Sequence, residues 1–308
     1  MSEPKANGDA EARPSADGHG PDDARAGGPT LRLGGMALRN GLLIHGPTSW
    51  AVAARAGDGE LKVASGPKPV LAPELSARVP LLRGPLRLAE AFVLIPLVRT
   101  RLPAARLPFE NPRVLIAMLA VSAASRALRR GATGPAREVV QAALGVVPAL
   151  VALSNRDLAA YHGAEHKAIG AYEDGSDPST ATKEHRRCGS NLVAPMVLAS
   201  AAGQLIVDRL LEDPGPLARA GVAVASVGVA AEMFAWSDRN PDTAAAHAFH
   251  RPGHEIQRLV ATKEPTPEQL EVGVAALEEI LRAERESGSE WAPRRTATPG
   301  DGQASPPT

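Results

Sequence analysis

Between Val79 and Trp236 the chain is a series of long apolar stretches cut by charges. No other feature narrows the fold as much. "VVQAALGVVPALVALS" carries no charge from Val139 to Ser154, and "NLVAPMVLASAAGQLIV" none from Asn191 to Val207. "ARAGVAVASVGVAAEMFAW" is apolar apart from Arg219 and Glu232, while "LLRGPLRLAEAFVLIPLV" carries charge within it and "VLIAMLAVSAAS" is short. A membrane span takes roughly 17 to 25 mostly apolar residues, and shorter runs are more often core helices. These runs lie on that boundary. They are rich in Ala, Gly and Ser, which suits close helix packing in lipid and also fits a soluble bundle.

The flanks read differently. Residues 1–29 are polar, Gly/Pro/Asp-rich and without periodicity, so they are expected to form a disordered tail, as are residues 287–308. No apolar core segment of a secretory signal is present in the first of these. Residues 30–72 form the β-rich part. "SWAVAARA" and "ELKVAS" flank Asp58-Gly59, a pair suited to a tight hairpin turn. Gly34-Gly35 implies a close backbone approach or a positive φ. Residues 73–286 make the helical domain, with a loop at 155–190 that carries the candidate site and a last helix at 266–285. That helix begins with Thr266 as N-cap, Pro267 in the first turn and Gln269 closing a capping box. Leu270, Val274, Leu277 and Leu281 then form an apolar stripe, to be packed on the rest of the chain or on an oligomer partner.

Charge and cysteine content remove several function classes. The 308 residues have a formal net charge of zero, which gives no reason to expect a nucleic-acid partner. Cys188 is the only cysteine, so no intrachain disulfide forms. There is no G-x-S-x-G, no P-loop and no dinucleotide fingerprint.

"YHGAEHKAIGAYE", Tyr161 to Glu173, contains His162 and His166 in an H-x-x-E-H pattern. Residues four apart share a helix face, so both imidazoles reach one ion, with Glu165 on the adjoining flank as a proton acceptor. The same pattern also arises by chance on a solvated helix. A second cluster follows in "EHRRCGSN", where His185 and Cys188 stand three apart. Imidazole and thiolate are ligands that zinc prefers. Glu232, an acid in an apolar run, needs a partner, which is a metal, a basic group or water at the helix end. His247, His250 and His254 lie in a Pro/Gly-containing context that reads as a surface or lid loop, and His45 reads as inert.

With these residues in place, the chain resembles the YqhQ-like family of bacterial membrane proteins. The stretches that carry the resemblance are "GGMALRNGLLIHGPTSWAVAAR", "RVPLLRGPLRLAEAF", "YHGAEHKAIGAYE", "HRRCGSN" and "RPGHEIQRLVATKEPTPEQLEVGVAAL", from about Gly34 to Leu277. The resemblance implies an integral membrane protein of several helices and a metal-dependent enzyme without an established reaction. It places His162, Glu165, His166, His185 and Cys188 in the family's proposed site. Met36 and Asn40 stand where the family tends to have Gln and Glu, and "PGHEIQ" stands where it tends to have an apolar segment.

The expectation is a mainly α-helical, multi-pass membrane bundle with a small N-terminal β-hairpin region and a C-terminal amphipathic helix. Its ligands to a divalent, zinc-like metal are His162 and His166, with His185, Cys188 or Glu232 completing the set and Glu165 as general base of a hydrolase. The alternative is a non-catalytic scaffold or interaction protein whose His162, His166, His185 and Cys188 close a structural tetrahedral shell. Lipid is an expected partner, a second copy is a candidate one, and the substrate is open. Basic residues near the motif-bearing end put that end in the cytoplasm, although Arg126, Arg129, Arg130 and Arg137 near the other end oppose this.

Overall fold

A computed structural model describes residues 31–131, 134–212 and 214–288. The two expected tails, 1–29 and 287–308, lie outside the described residues except for Ser287 and Gly288. The described residues begin with an antiparallel sheet whose strands follow chain order, β1 (Gly34–Leu38), β2 (Gly41–His45), β3 (Ser49–Arg55) and β4 (Leu61–Pro67). The β3–β4 hairpin turns at Asp58-Gly59, and Gly59 takes a φ of +86°. The single hairpin expected there is thus the last of three. The β1–β2 turn is tied down by Asn40, whose Nδ2 donates to the carbonyls of Arg55 and Ala104 (both 2.8 Å) and whose Oδ1 accepts from the Arg106 N–H at 2.8 Å.

Helices cover both faces of the sheet. Leu42, Ile44, Ala51 and Ala53 face α6 (Arg156–Asp174) and α10 (Pro267–Glu286). Leu43, Trp50, Val52 and Ala54 face Leu94 and Val98 of α2 (Pro80–Arg101) and the Leu102–Leu107 segment. With both faces buried, "GLLIH" and "SWAVAA" are apolar at successive positions and do not alternate.

The short α1 (Pro73–Arg78) precedes α2, and α3 (Pro112–Gly131), α4 (Pro135–Leu144) and α5 (Val147–Leu153) follow it. After α6 come α7 (Val193–Leu210), α8 (Pro216–Arg239) and α9 (Ala244–Ile256). Among the described residues, three helical segments are long and apolar enough to cross a membrane: Ala136–Leu153, which joins α4 and α5, then Gly189–Leu210 and Pro216–Arg239. Less than a quarter of each is buried within the protein, and Leu198 and Leu217 are 67% and 87% exposed. Small residues allow α2 and α8 to cross closely. A β-carbon on Gly228 would run into the Leu81 carbonyl, and one on Gly84 would lie 2.5 Å from Ala231 Cβ.

Helix α10 has the expected capping box of Thr266 and Gln269. Its buried face differs from the expected stripe. Val272, Gly273, Ala276, Leu277, Ile280, Leu281 and Glu284 are buried, and Leu270 and Val274 are only half-buried. The helix packs on α6 and on strands β2 and β3 of its own chain, where small residues allow close approach. His247, His250 and His254 lie on a helix, not a loop. Thr243 caps α9 by accepting from the Ala246 N–H at 3.2 Å, and Pro252 is accommodated within it. The adjacent Gly253 is needed because a β-carbon there would collide with Asn191.

Candidate metal centre

Helix α6 carries the H-x-x-E-H pattern through the middle of the protein. It starts at Asn155, whose Oδ1 accepts from the Leu158 N–H at 3.0 Å, and stops at Gly175 with a φ of +67°. Its neighbours are β1 and β2 on one side and α10 on another, so Glu165, His166 and Lys167 are all buried. A solvated helix with a chance pattern would leave them exposed. Lys167 is matched by Glu264 at 2.5 Å.

The two imidazoles are oriented by backbone carbonyls. His162 Nδ1 lies 2.8 Å from the Ala261 carbonyl, and His166 Nδ1 lies 2.6 Å from the Lys183 carbonyl. A carbonyl only accepts, so each Nδ1 must hold the proton and each Nε2 presents a lone pair. Cys188 Sγ lies 3.4 Å from His162 Nε2. One ligand atom from each of His162, His166 and Cys188 lies within 4.8 Å of the other two. Zinc–nitrogen and zinc–sulfur bonds of about 2.0 and 2.3 Å at a tetrahedral angle put N and S about 3.5 Å apart. The donor set and its carbonyl supports fit such an ion.

Electrostatics prepare the same groups. Burial pushes the Glu165 carboxyl above its usual range, with His162 and His185 pulling it back. Burial also holds His166 well below the usual imidazole value, so it is neutral and able to ligate near pH 7. The Cys188 thiol is pushed up to about 11 by burial, partly offset by the Ser190 N–H that bonds Sγ at 3.5 Å. The thiolate that a metal requires would therefore form by proton release on metal binding.

His185 and Glu232 are not in this group. The His185 ring is centred 5.6 Å from that of His166, and its Nε2 bonds Glu173 Oε2 at 3.1 Å. Arg187 contacts the other oxygen of Glu173. The Glu232 carboxylate lies 3.9 Å from Arg83, the basic-group partner that its isolation in the apolar run called for.

Two residues that hold the site in place were not singled out from the sequence. Glu173 stands seven after His166 on α6, and that spacing is its only signal. Gln257 is buried where α9 runs into a π-helical turn, Gln257–Ala261. Its Oε1 accepts from the His185 N–H at 2.7 Å, and its Nε2 donates to the His185 carbonyl at 3.2 Å and to Ser190 Oγ at 2.9 Å. The same turn brings the Ala261 carbonyl to His162. π-Turns of this kind are frequent at functional sites.

Residues 149–283 match the profile of a family described as a protein of unknown function (DUF1385). The chain is also 30% identical over 132 residues to the uncharacterized protein YqhQ of Bacillus subtilis (strain 168), which is 40% of either chain. Over this stretch the chain is similar to the YqhQ-like family. It spans about two fifths of the length of the curated relative that it matches. No solved structure matches it. The matched stretch holds His162, Glu165, His166, Glu173, Cys188, Gln257 and most of α10, and excludes the sheet and α2 to α4.

Proposed function

We propose that this protein is a multi-pass membrane protein with a zinc-like centre at the membrane surface, and that it hydrolyses an amide or ester. The observation that carries the reading is the pair of Nδ1–carbonyl hydrogen bonds, which leaves both Nε2 lone pairs free on two imidazoles that group with Cys188. Imidazoles whose second nitrogen is fixed in this way are typical of metal ligands.

Three protein ligands leave a fourth position for water or substrate, as catalytic zinc sites do. A closed shell would need His185, which lies outside the group that His162, His166 and Cys188 form. When bound, a zinc-like ion supplies Lewis acidity and makes water nucleophilic near neutral pH. His162, His166 and the Cys188 thiolate hold it. Glu165, buried on the flank of α6 and outside the ligand group, takes the proton from the attacking water and returns it to the leaving group. The sheet and α10 exclude bulk water from that carboxylate. The motif-bearing end, which carries Arg156, Lys183, Arg186, Arg187, Arg239 and Arg251, faces the cytoplasm in this reading.

Metal analysis of detergent-purified protein tests it. The wild type is expected to hold roughly one zinc-like ion per chain, and the double variant His162→Ala/His166→Ala close to none. Equal metal content in the two would remove the centre.

A further inference from the structure

A second site adjoins the metal centre. A cleft of about 610 Å³ opens between α9 and the 182–191 segment, lined by Arg186, Arg251, His247, His250, His254 and Glu184. The acids around it are already matched by other cations. Glu184 pairs with Lys183 at 2.5 Å, Glu255 with Arg258 at 2.7 Å, and Asp238 with Arg32 at 3.1 Å. Arg186 and Arg251 make no ion pair among the described residues. His250 Nδ1 is buried with no hydrogen-bond partner among them. The cleft therefore has positive charge, on Arg186 and Arg251, that no ion pair among the described residues offsets.

Its place in the fold indicates what supplies the negative charge. Asn191, which also lines the cleft, lies at the start of the apolar segment Gly189–Leu210, and α9 begins five residues after α8 ends. Around His250 the cleft gives way to apolar surface. The His250 ring packs edge-on against Phe249 and Phe234, with centroids at 5.2 and 5.9 Å. Phe249 then lines a mostly apolar groove with Met233, Trp236 and Ala245, whose one acid, Glu232, lies 3.9 Å from Arg83. A cationic cleft beside an apolar groove, both at the ends of membrane-length helices, matches a phosphate head with an acyl chain attached.

We propose that this cleft binds the phosphate of an anionic membrane phospholipid, with Arg186 and Arg251 on the phosphate and the Phe249 groove along the chain. Guanidinium groups bind phosphate oxygens in bidentate fashion, which favours Arg in both positions. The inference uses the membrane placement of α7 and α8 and does not depend on the metal.

The test is competition between lipids. Detergent-purified full-length protein is mixed with equal amounts of phosphatidylglycerol and phosphatidylcholine of the same acyl chains, and bound lipid is counted by native mass spectrometry. One basic residue near an anionic surface contributes about fivefold in binding. The wild type should therefore prefer phosphatidylglycerol by about fivefold or more, and Arg186→Gln/Arg251→Gln should bring the ratio close to one. Arg126→Gln/Arg130→Gln, at the other end of the helices, should leave the preference intact. No preference in the wild type overturns the proposal, and uptake of inorganic phosphate alone in a parallel titration would then identify a free anion as the ligand. An unchanged preference in Arg186→Gln/Arg251→Gln also overturns it. Metal content and melting temperature measured on the same samples keep this result separate from the fate of the metal centre and from misfolding.

Discussion

A β-carbon on Gly35 of β1 would lie 2.5 Å from Glu165 Oε1, 2.6 Å from its Cδ and 2.7 Å from its Cγ. The strand thus sets the position of the whole Glu165 side chain, not merely its tip. Gly35→Ala is expected to displace Glu165 while His162, His166 and Cys188 stay in place. Metal should remain bound in this variant, while rescue of a deletion strain should fall strongly. Full rescue by Gly35→Ala would show that the position of Glu165 does not matter.

Glu284 of α10 secures the sheet from the far side. It is fully buried and accepts from the Thr48 and Ser49 N–H groups at 2.9 and 2.8 Å and from Thr48 Oγ1 at 2.8 Å. Glu284→Ala leaves these donors unmatched and should cost about 3 kcal/mol. Glu284→Gln keeps an acceptor and should cost less. Unfolding in detergent measures both, and an unchanged melting temperature for the alanine variant would contradict the assignment.

Some of this was legible in the sequence and some was not. The Asp58-Gly59 turn and the Thr266–Gln269 capping box depend on local chemistry, and both stand where the residues indicated. The buried face of α10 depends on tertiary contact. Large apolar residues pointed to Leu270 and Val274, whereas the real seam uses Gly273 and Ala276 for close approach and buries an acid, Glu284. The Pro252-Gly253 pair suggested a loop for the same reason, because the contact between Gly253 and Asn191 has no local signature. In the candidate site, the His162/His166 spacing and the nearby Cys188 were readable. The carbonyls of Ala261 and Lys183 that orient the rings were not, since a backbone acceptor has no sequence identity.

His45 gives a pH dependence outside the metal centre. Burial, reinforced by Lys68, lowers its pKa from 6.5 to about 4. The folded state therefore resists a proton that the unfolded chain accepts. Stability from this residue is complete above about pH 6.5, declines as pH falls towards 4 and levels off below that. The shift of about 2.5 units corresponds to about 3 kcal/mol at most. Burial lowers His166, His185 and His250 as well, so the useful quantity is a difference of differences. His45→Gln should lose less stability than the wild type between pH 7.5 and 4.5 in denaturant unfolding. Parallel losses would show that His45 is not the sensor.

Glu165 and Cys188 together separate an enzyme from a metal-stapled scaffold. If Glu165 is a base and not a ligand, Glu165→Gln keeps the shape of the side chain and removes its proton affinity. Metal content should then match the wild type while rescue of a deletion strain is lost. Cys188 is a ligand under both readings, so Cys188→Ser should weaken metal binding in either case, and the two readings differ in what else is lost. In a closed structural shell, metal binding contributes folding free energy directly, so the melting temperature should fall together with the metal. In an open three-ligand site, helix α6 is already held by the sheet and α10. The serine variant should then lose metal and function with little change in melting temperature. Full rescue by Glu165→Gln, together with a melting temperature that collapses in Cys188→Ser, would replace the hydrolase with the scaffold.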